Sequence, residues 1–185
     1  SNKNITKTQM LENIPIIERN DELYIDPLSD NWQYRYYRVL FDIDYDNKEH
    51  VKKICINYLE SLEWTFKYYI NSCPDWNWKY NYHYTPLFSD LIKYIPHFFI
   101  EFIQNTNTTP INPNLQLLYV LPETSSYLIP EPIRKELYTN YPDYYRNDHK
   151  IIWCYCRYLW EAHIKFKYYD INKLKNIIIN IELNI

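Results

Sequence analysis

Residues 73–86 of the 185-residue chain read CPDWNWKYNYHYTP, an aromatic stretch enclosed by two prolines. The stretch follows a strong helical pattern at residues 48–71 and precedes another that begins near residue 87. Proline shortly after a helix is a typical stop signal, because it cannot continue the helix. The sequence therefore predicts a loop between two helices, and we call residues 73–86 the aromatic loop.

The rings of the aromatic loop are compatible with two structures. In an extended segment alternate side chains share one side, so that Trp76, Trp78 and Tyr80 would form a row of rings. Such a row stacks unpaired bases, at about 1–3 kcal/mol per base. Alternatively, the rings fill the core beneath the preceding helix, where buried Trp and Tyr need only a hydrogen-bond partner. From the residue pattern alone, core filling is the commoner outcome.

The helix at residues 48–71 carries the clearest periodicity of the chain. Its apolar residues recur at three- and four-residue spacing, which is typical of an amphipathic helix. They are Val51, Ile54, Cys55, Tyr58, Leu59, Leu62, Phe66 and Tyr69. One face of this helix is therefore predicted to pack against a core.

The rest of the chain predicts shorter helices separated by proline-rich loops. These helices are expected at residues 32–41, 87–95, 96–104, 113–121, 131–139 and 170–181. Asp30 or Asn31 is suited to cap the first of them, and Pro96 separates the second from the third because an interior proline breaks a helix. Residues 151–160 fit either a strand or a buried helix. The predicted fold is mostly α, with a linker or N-terminal arm at residues 1–30 and a single helical domain at 31–185.

Composition limits the function classes and the conformations open to the chain. Hydrophobic residues make up 46%, which excludes a disordered tail. The net charge of −3 does not indicate the basic face of a self-sufficient nucleic-acid binder. Glycine is absent, so any backbone position with a positive φ is expected to use Asn or Asp. No signal peptide, membrane-span length or disulfide spacing is visible, which predicts an intracellular protein, cytoplasmic or nuclear, without a membrane partner.

Two patterns resemble metal sites, and both are rejected. Asp42, Asp44 and Asp46 resemble the start of a calcium loop, but the glycine at the sixth position is missing and Lys53 replaces the bidentate Glu. Cys154 and Cys156 have one residue between them, whereas structural zinc sites favour two or more. We interpret the acidic run as a turn and the cysteines as buried free thiols.

Several blocks of the chain, in order, resemble the Xrn-type 5′→3′ exoribonucleases. Residues 58–69 (YLESLEWTFKYY) and 73–91 (CPDWNWKYNYHYTPLFSDL) are similar to that family's signature, in particular its W-x-W and Y-H-Y elements. Flanking blocks at 32–41, 113–125 and 160–170 follow with matching spacing. A match of several blocks is far more specific than a single short motif. The resemblance identifies the chain as a divergent member of that family's second conserved, helical region.

The departures from the family pattern fall at residues that shape the backbone. Ser61 and Ser72 stand where the family usually has Gly, and Asn81 and Lys167 replace Pro. Leu40 occupies a position that is usually basic. The divergence is therefore expected in local detail, within a retained helical fold.

In the enzymes of this family the catalytic carboxylates and Mg²⁺ lie in a preceding nuclease region. Nothing in this chain matches that region, and residues 1–30 are too short to hold it. The resemblance thus implies no catalytic residue and no cofactor within the chain, which is not expected to hydrolyse RNA alone because metal-dependent hydrolysis needs converging carboxylates. Whether the chain counts as an enzyme is left uncertain by its sequence.

The resemblance also implies partners and binding residues. The helical region would pack on the nuclease region, in cis or in trans, and narrow a channel for single-stranded 5′-monophosphorylated RNA, with no DNA specificity. A Trp of the aromatic loop would stack near the 5′ nucleotide: Trp76 or Trp78, between which the sequence does not choose. The further residues implied in stacking are Tyr80, His83 and Tyr84. Asp90 is predicted to brace the loop by accepting a hydrogen bond. The alternative function is a non-catalytic protein-interaction module that keeps the fold without processing RNA.

Overall fold

The computed structural model describes residues 14–104, 108–142, 144, 150–165 and 171–183. The helices in these ranges are α1 (Asn20–Ile25), α2 (Trp32–Phe41), α3 (Lys48–Ile70), α4 (Phe88–Leu91), α5 (Pro113–Val120), α6 (Glu131–Asn140) and α7 (Ile171–Leu183). Short 3-10 helices occupy Ile92–Tyr94, Glu123–Leu128 and Leu159–Glu161. Strands β1 (Lys150–Ile152) and β2 (His163–Lys165) form a two-stranded sheet. The mostly helical fold class is confirmed.

Helices with a strong local signal appear where the sequence predicts them. The α3 helix begins after Asn47, whose side chain accepts a hydrogen bond from the backbone N–H of His50 at 3.2 Å. Asn112 caps α5 in the same way, and Pro113 occupies the first turn, where a missing N–H costs nothing. Polar caps of this kind satisfy backbone donors that lack an intrahelical partner.

The predicted helix at residues 96–104 is wrong. Regular structure ends at Tyr94, and the following segment is irregular. The backbone N–H groups of Phe102 and Ile103 donate to the Glu63 carboxylate of α3, at 2.8 and 3.3 Å, instead of to carbonyls of their own segment. A tertiary hydrogen bond has replaced the helical ones.

The described part of the N-terminal arm is ordered against a turn far along the chain. Pro15 forms an isolated bridge with Tyr158, and the N–H of Ile16 donates to the Arg157 carbonyl at 3.1 Å. The arm also contains α1, which the sequence did not predict. Residues 1–13 of the predicted arm lie outside the described residues, as do 105–107, 143, 145–149, 166–170 and 184–185.

Most positions with a positive φ are occupied by Asp or Asn, as expected for a chain without glycine. Asp26, Asn31 and Asp42 take positive φ, and each lies at a helix boundary. Asn31 is the N-cap of α2, but its side chain makes no capping hydrogen bond, so the predicted cap is wrong in that respect. Tyr155 has φ 61°, a conformation that is costly for a bulky residue and was not predicted.

The chain divides into two compact units. The first comprises Ser1–Thr108 with Ile151–His163. Its core is built from α1, the inner faces of α2 and α3, α4 and the Cys154 turn; the buried apolar residues are Ile25, Tyr36, Tyr37, Leu40, Val51, Ile54, Cys55, Leu91 and Cys154. Only the first half of α3 is buried in it, because Leu62, Phe66 and Tyr69 are exposed.

The second unit comprises Thr109–Lys150 with Ile164–Ile185. Its core lies between α5, α6 and α7 and contains Leu115, Leu118, Ile129, Ile133, Leu137, Leu174, Ile178 and Ile181. The Tyr144 hydroxyl donates to the Leu118 carbonyl at 2.7 Å, which ties the segment after α6 to α5. Across the described residues of both units, no helix combines the length and hydropathy needed to cross a bilayer.

Candidate nucleic-acid interface

The aromatic loop is held to α3 by hydrogen bonds at two points. Near its start, the indole N–H of Trp64 donates to the Asp75 carbonyl at 2.9 Å. Further along, the side-chain oxygen of Asn57 accepts the backbone N–H of Asn81 at 2.9 Å. Asn57 is buried, and its amide nitrogen donates to Glu60 at 2.8 Å, so both ends of the amide are used. These bonds fix the path of the loop over the second half of the helix.

Asp75 and Thr108 order the turn that carries Trp76. The Asp75 carboxylate accepts the backbone N–H of Asn77 at 2.8 Å and the Thr108 hydroxyl at 3.1 Å. The Thr108 oxygen in turn accepts the Trp76 N–H at 2.7 Å. The backbone on both sides of the Trp76 side chain is therefore satisfied without a ligand.

The end of the loop is joined to α2 and α4. The Tyr36 hydroxyl donates to the Thr85 carbonyl at 2.8 Å, and the Tyr37 oxygen accepts the Leu87 N–H at 3.2 Å. Tyr37 then donates to Asp90, whose side chain is almost fully buried. Burial, together with the Asp90 carboxylate, raises the pKa of Tyr37 well above its usual range, so the hydroxyl stays protonated.

Asp90 collects two further donors. The Tyr45 hydroxyl donates to it at 3.0 Å and the Lys93 ammonium at 2.7 Å. The hydrogen bond to Asp90 is the largest cause of a raised Lys93 pKa. With its oxygens occupied in this way, Asp90 is suited to holding the loop end, which is the kind of contact the sequence predicted; its bracing role stays a prediction.

Trp78 belongs to a stack of three rings that leads from the loop to the helix. Its ring lies 6.0 Å from that of Trp64, with an interplanar angle of 22°. Trp64 in turn stacks on Tyr68 at 5.2 Å and 7°. We call Trp78, Trp64 and Tyr68 the ring stack. Trp64 and Tyr68 are not among the residues predicted from the sequence, although their spacing of four residues places them on one face of a helix.

The tyrosines of the loop pack inward. Tyr80 meets Tyr58 of α3 edge-on at 5.8 Å and Tyr82 at 5.5 Å. The Tyr80 hydroxyl donates to the Tyr84 carbonyl at 2.7 Å, and the Tyr84 hydroxyl donates to the Cys154 carbonyl at 3.0 Å. Burial raises the pKa of Tyr80 and of Tyr84 well above the usual range. Core filling therefore describes these residues better than a continuous row of rings.

Trp76 and His83 are the exposed rings among the predicted stacking residues. Trp76 is 42% exposed, and its ring contacts no other described aromatic ring. His83 is exposed and lies 5.8 Å from the ring of His163, which also meets Tyr84 edge-on at 5.1 Å. Trp76 is thus not part of the ring stack, and His83 lies in a separate cluster with His163.

The turn that receives the Tyr84 hydroxyl is held by the N-terminal arm. Arg19 pairs with Glu22 at 2.7 Å, and both contact the turn: Arg19 donates to the Cys156 carbonyl and Glu22 accepts the Tyr155 N–H. Cys154 and Cys156 are buried free thiols, as predicted. Burial raises the pKa of Cys154 to about 12, which leaves it almost without thiolate and so a poor nucleophile.

The donor sets do not fit a catalytic metal. Within the described residues, no group of three or more His, Cys, Asp or Glu side chains is arranged to hold an ion. The buried carboxylate of Asp90 is instead occupied by two hydroxyls and an ammonium. A hydrolytic metal centre cannot be assembled from these residues.

Sequence comparisons agree with this geometry. A family described as the Xrn1 helical domain matches residues 15–184. The chain is 34% identical over 132 residues to 5′-3′ exoribonuclease 1 of Saccharomyces cerevisiae, which covers 69% of the chain and 8% of that protein. It is 31% identical over 160 residues to the 5′-3′ exoribonuclease 2 homolog of Drosophila melanogaster, covering 85% of the chain and 17% of that protein.

A third relative extends the match to most of the chain. Identity to 5′-3′ exoribonuclease 2 of Aspergillus oryzae is 29% over 175 residues, covering 91% of the chain and 16% of that protein. The chain thus spans less than a fifth of the length of these relatives. The resemblance found in the sequence blocks is confirmed: the chain belongs to the Xrn helical-domain family, whose members compared here are 5′-3′ exoribonucleases.

Proposed function

We propose that this chain is the helical, channel-forming part of a 5′→3′ exoribonuclease that acts on single-stranded 5′-monophosphorylated RNA. The observation that carries the proposal is the exposed Trp76 ring, presented on a turn in which the backbone N–H groups of Trp76 and Asn77 are already hydrogen-bonded. A ring on a loop that is already ordered can stack on an unpaired base at a small cost in conformational entropy. The names of the matched relatives supply the reaction class.

The proposal divides the loop residues by exposure. Trp76 stacks on a base, and His83 contacts the strand from its exposed position. Trp78 supports the loop through the ring stack, while Tyr80 and Tyr84 hold it on the core. Asp90 braces the end of the loop through Tyr37 and Lys93.

Catalysis on this proposal needs a partner. None of the carboxylates in the described part of the chain is assigned a catalytic role, so hydrolysis depends on a nuclease region, in cis or in trans, that holds Mg²⁺. The helical part narrows the path of the RNA so that only a single strand passes. A site of action in the cytoplasm or the nucleus follows from a role in RNA decay.

The first test is direct binding of labelled single-stranded RNA to the chain at low salt. We expect binding that weakens as salt rises, because phosphate contacts release counterions. Trp76→Ala should reduce the affinity about 5-fold or more, the loss of one base–ring stack. Tyr127→Ala is the matched control, since Tyr127 is an exposed ring in the second unit. Single-stranded DNA of the same sequence tests for DNA specificity, which is not expected.

The second test adds the nuclease region and measures processive decay of 5′-monophosphorylated RNA. Trp76→Ala should slow decay, whereas Tyr127→Ala should not. Decay by the Trp76→Ala protein at the unmodified rate, together with unchanged RNA affinity, would remove the stacking role. A chain that binds no RNA in either setting would remove the proposed function.

A second candidate is a non-catalytic interaction module. It is favoured by the net charge of −3 and by an exposed apolar stripe on the second half of α3, formed by Leu62, Phe66, Tyr69 and Ile70. Exposed apolar stripes on a helix mark protein-interaction surfaces. Tight association with a protein, without any RNA binding at low salt, would support this candidate over the first.

A further inference from the structure

We propose that Tyr68 of α3 provides a second stacking surface for an unpaired nucleobase, next to the one at Trp76. The ligand class is a single-stranded RNA that extends beyond the nucleotide on Trp76. This inference rests on the proposed function, because it assigns a second contact of the same strand. It concerns a helix residue outside the aromatic loop.

The first argument is the geometry of the ring stack. Trp78, Trp64 and Tyr68 lie at successive centroid distances of 6.0 and 5.2 Å, with interplanar angles of 22° and 7°. Both distances and the near-parallel planes match the offset stacking that aromatic rings prefer. Tyr68 is the last ring of this series and is 46% exposed. A base on its open face would continue an existing stack.

The second argument is that the surface is ordered before any ligand binds. Trp64 is fixed by its indole N–H, which donates to the Asp75 carbonyl at 2.9 Å. Tyr68 lies one helical turn further along α3 and packs flat against Trp64. Because neither ring has to be immobilised on binding, the entropy cost of ordering side chains is small.

The third argument is continuity with the proposed site. The carbonyl that binds the Trp64 indole belongs to Asp75, the residue immediately before Trp76. Trp64 therefore contacts Tyr68 through its ring and the backbone next to Trp76 through its indole N–H. Two surfaces arranged around one ring are suited to two nearby bases of one strand.

Charge around Tyr68 favours a base rather than a phosphate. The neighbouring Lys67 ammonium pairs with Glu63 at 2.8 Å and with Glu101 at 2.5 Å. On the other side of Tyr68, Tyr69 is 81% exposed and stands edge-on to it at 5.7 Å and 79°. The surroundings thus offer ring faces and edges, with the ammonium of the adjacent Lys67 already paired with two carboxylates. The contribution of Tyr68 should therefore depend little on salt.

The experiment compares Tyr68→Leu, Tyr68→Phe and Phe66→Leu in the full chain, using RNA oligonucleotides of graded length. Phe66→Leu is the matched control, because Phe66 is an exposed ring on the same helix outside the ring stack. We expect Tyr68→Leu to weaken binding of the longer oligonucleotides about 5-fold or more, and to leave the shortest ones that bind unaffected. Tyr68→Phe, which keeps the ring, should bind like the unmodified chain. The slope of log affinity against log salt should not change.

Scanning one abasic nucleotide along the oligonucleotide locates the contact without any substitution in the protein. Two abasic positions should weaken binding by the unmodified chain, and one of these two should have no further effect on Tyr68→Leu. If Trp76→Ala weakens oligonucleotide binding but Tyr68→Leu binds like the unmodified chain, this inference is overturned and the proposed function still holds. No RNA binding by the unmodified chain would overturn both.

Two other outcomes also count against the inference. An abasic scan of the unmodified chain with a single sensitive position, lost in Trp76→Ala, would leave no base for Tyr68. Weakened association of Tyr68→Leu with the nuclease region, with unchanged RNA affinity, would assign Tyr68 to a protein interface. Thermal unfolding of each variant establishes that it is folded. If Tyr68→Leu does not fold, the abasic scan of the unmodified chain still tests the inference.

Discussion

The Tyr37 hydroxyl donates a hydrogen bond to the buried Asp90 carboxylate at 3.0 Å, and its oxygen accepts the backbone N–H of Leu87 at 3.2 Å. Leu87 directly follows the aromatic loop. One hydroxyl thereby joins the loop end to an acidic residue in the core. Tyr45 and Lys93 complete the set of donors to Asp90.

Replacing Asp90 with alanine should destabilise the first unit by about 2–4 kcal/mol, because at least two hydroxyl donors lose their acceptor in partly buried surroundings. Asp90→Asn should cost less, since an amide oxygen still accepts one of them. Urea unfolding measures both. In a double-mutant cycle with Tyr37→Phe the losses should be non-additive, as expected for groups in one network. Fully additive losses would mean that the pair is not coupled.

The buried amide of Asn57 holds the middle of the aromatic loop. Asn57→Leu keeps the approximate shape of the side chain but leaves the Asn81 N–H without its acceptor, which should cost about 1–3 kcal/mol. Amide hydrogen exchange at Asn81 should become faster in this variant. Asn57→Asp, which keeps an acceptor oxygen, is the control and should retain more protection. Unchanged exchange at Asn81 in Asn57→Leu would show that the loop is held by other contacts.

The parts of the fold that could be predicted from the sequence are those set by local chemistry. The α3 helix has apolar spacing and an Asn47 cap, and α5 has an Asn112 cap followed by proline, so their limits follow from neighbouring residues. The conformation of residues 96–104 is not set by neighbouring residues. Its backbone binds Glu63, a residue more than 30 positions earlier, and no local sequence pattern predicts this long-range contact.

The position of the aromatic loop between two helices was predicted, but the directions of its rings were not. The predicted row of rings assumes one straight strand. The loop instead turns at Asp75, after which Trp76 is exposed, and is held to Asn57 at Asn81, next to the packed Tyr80. The turns therefore depend on contacts with Thr108 and with Asn57 of α3, which periodicity cannot relate to the loop. The positive φ of Tyr155 likewise depends on contacts with Glu22 in the distant arm.

The two tryptophans of the aromatic loop should differ in their effect on stability. Trp78→Ala removes the first ring of the ring stack and should destabilise the first unit by about 2–4 kcal/mol. Trp76→Ala removes a ring that contacts no other ring among the described residues and should cost about 1 kcal/mol or less. Thermal or urea unfolding separates them. Equal losses for the two variants would contradict the assignment of Trp78 to support and Trp76 to binding.

Acid should weaken the contact between α3 and the 101–103 segment. Partial burial acts to raise the pKa of Glu63, but hydrogen bonds from Lys67 and from two backbone N–H groups outweigh it and lower the pKa. A carboxyl with a lowered pKa in the folded state binds protons less readily than in the unfolded chain. Its stabilisation is present above its ordinary pKa, about 4.3, and is lost as the pH falls through the lower, folded-state value.

Glu63→Gln should flatten that acid decline, measured as unfolding free energy from pH 7 to pH 2, and should cost about 1–3 kcal/mol at pH 7 because charged acceptors bind more strongly than amides. Glu101→Gln is the comparison, since its side chain is about half exposed and its pair with Lys67 is weakened by solvent. It should lower stability at pH 7 by less than Glu63→Gln does. If the two variants give the same acid profile, the backbone bonds to Glu63 do not hold the 101–103 segment, and its irregular conformation must have another cause.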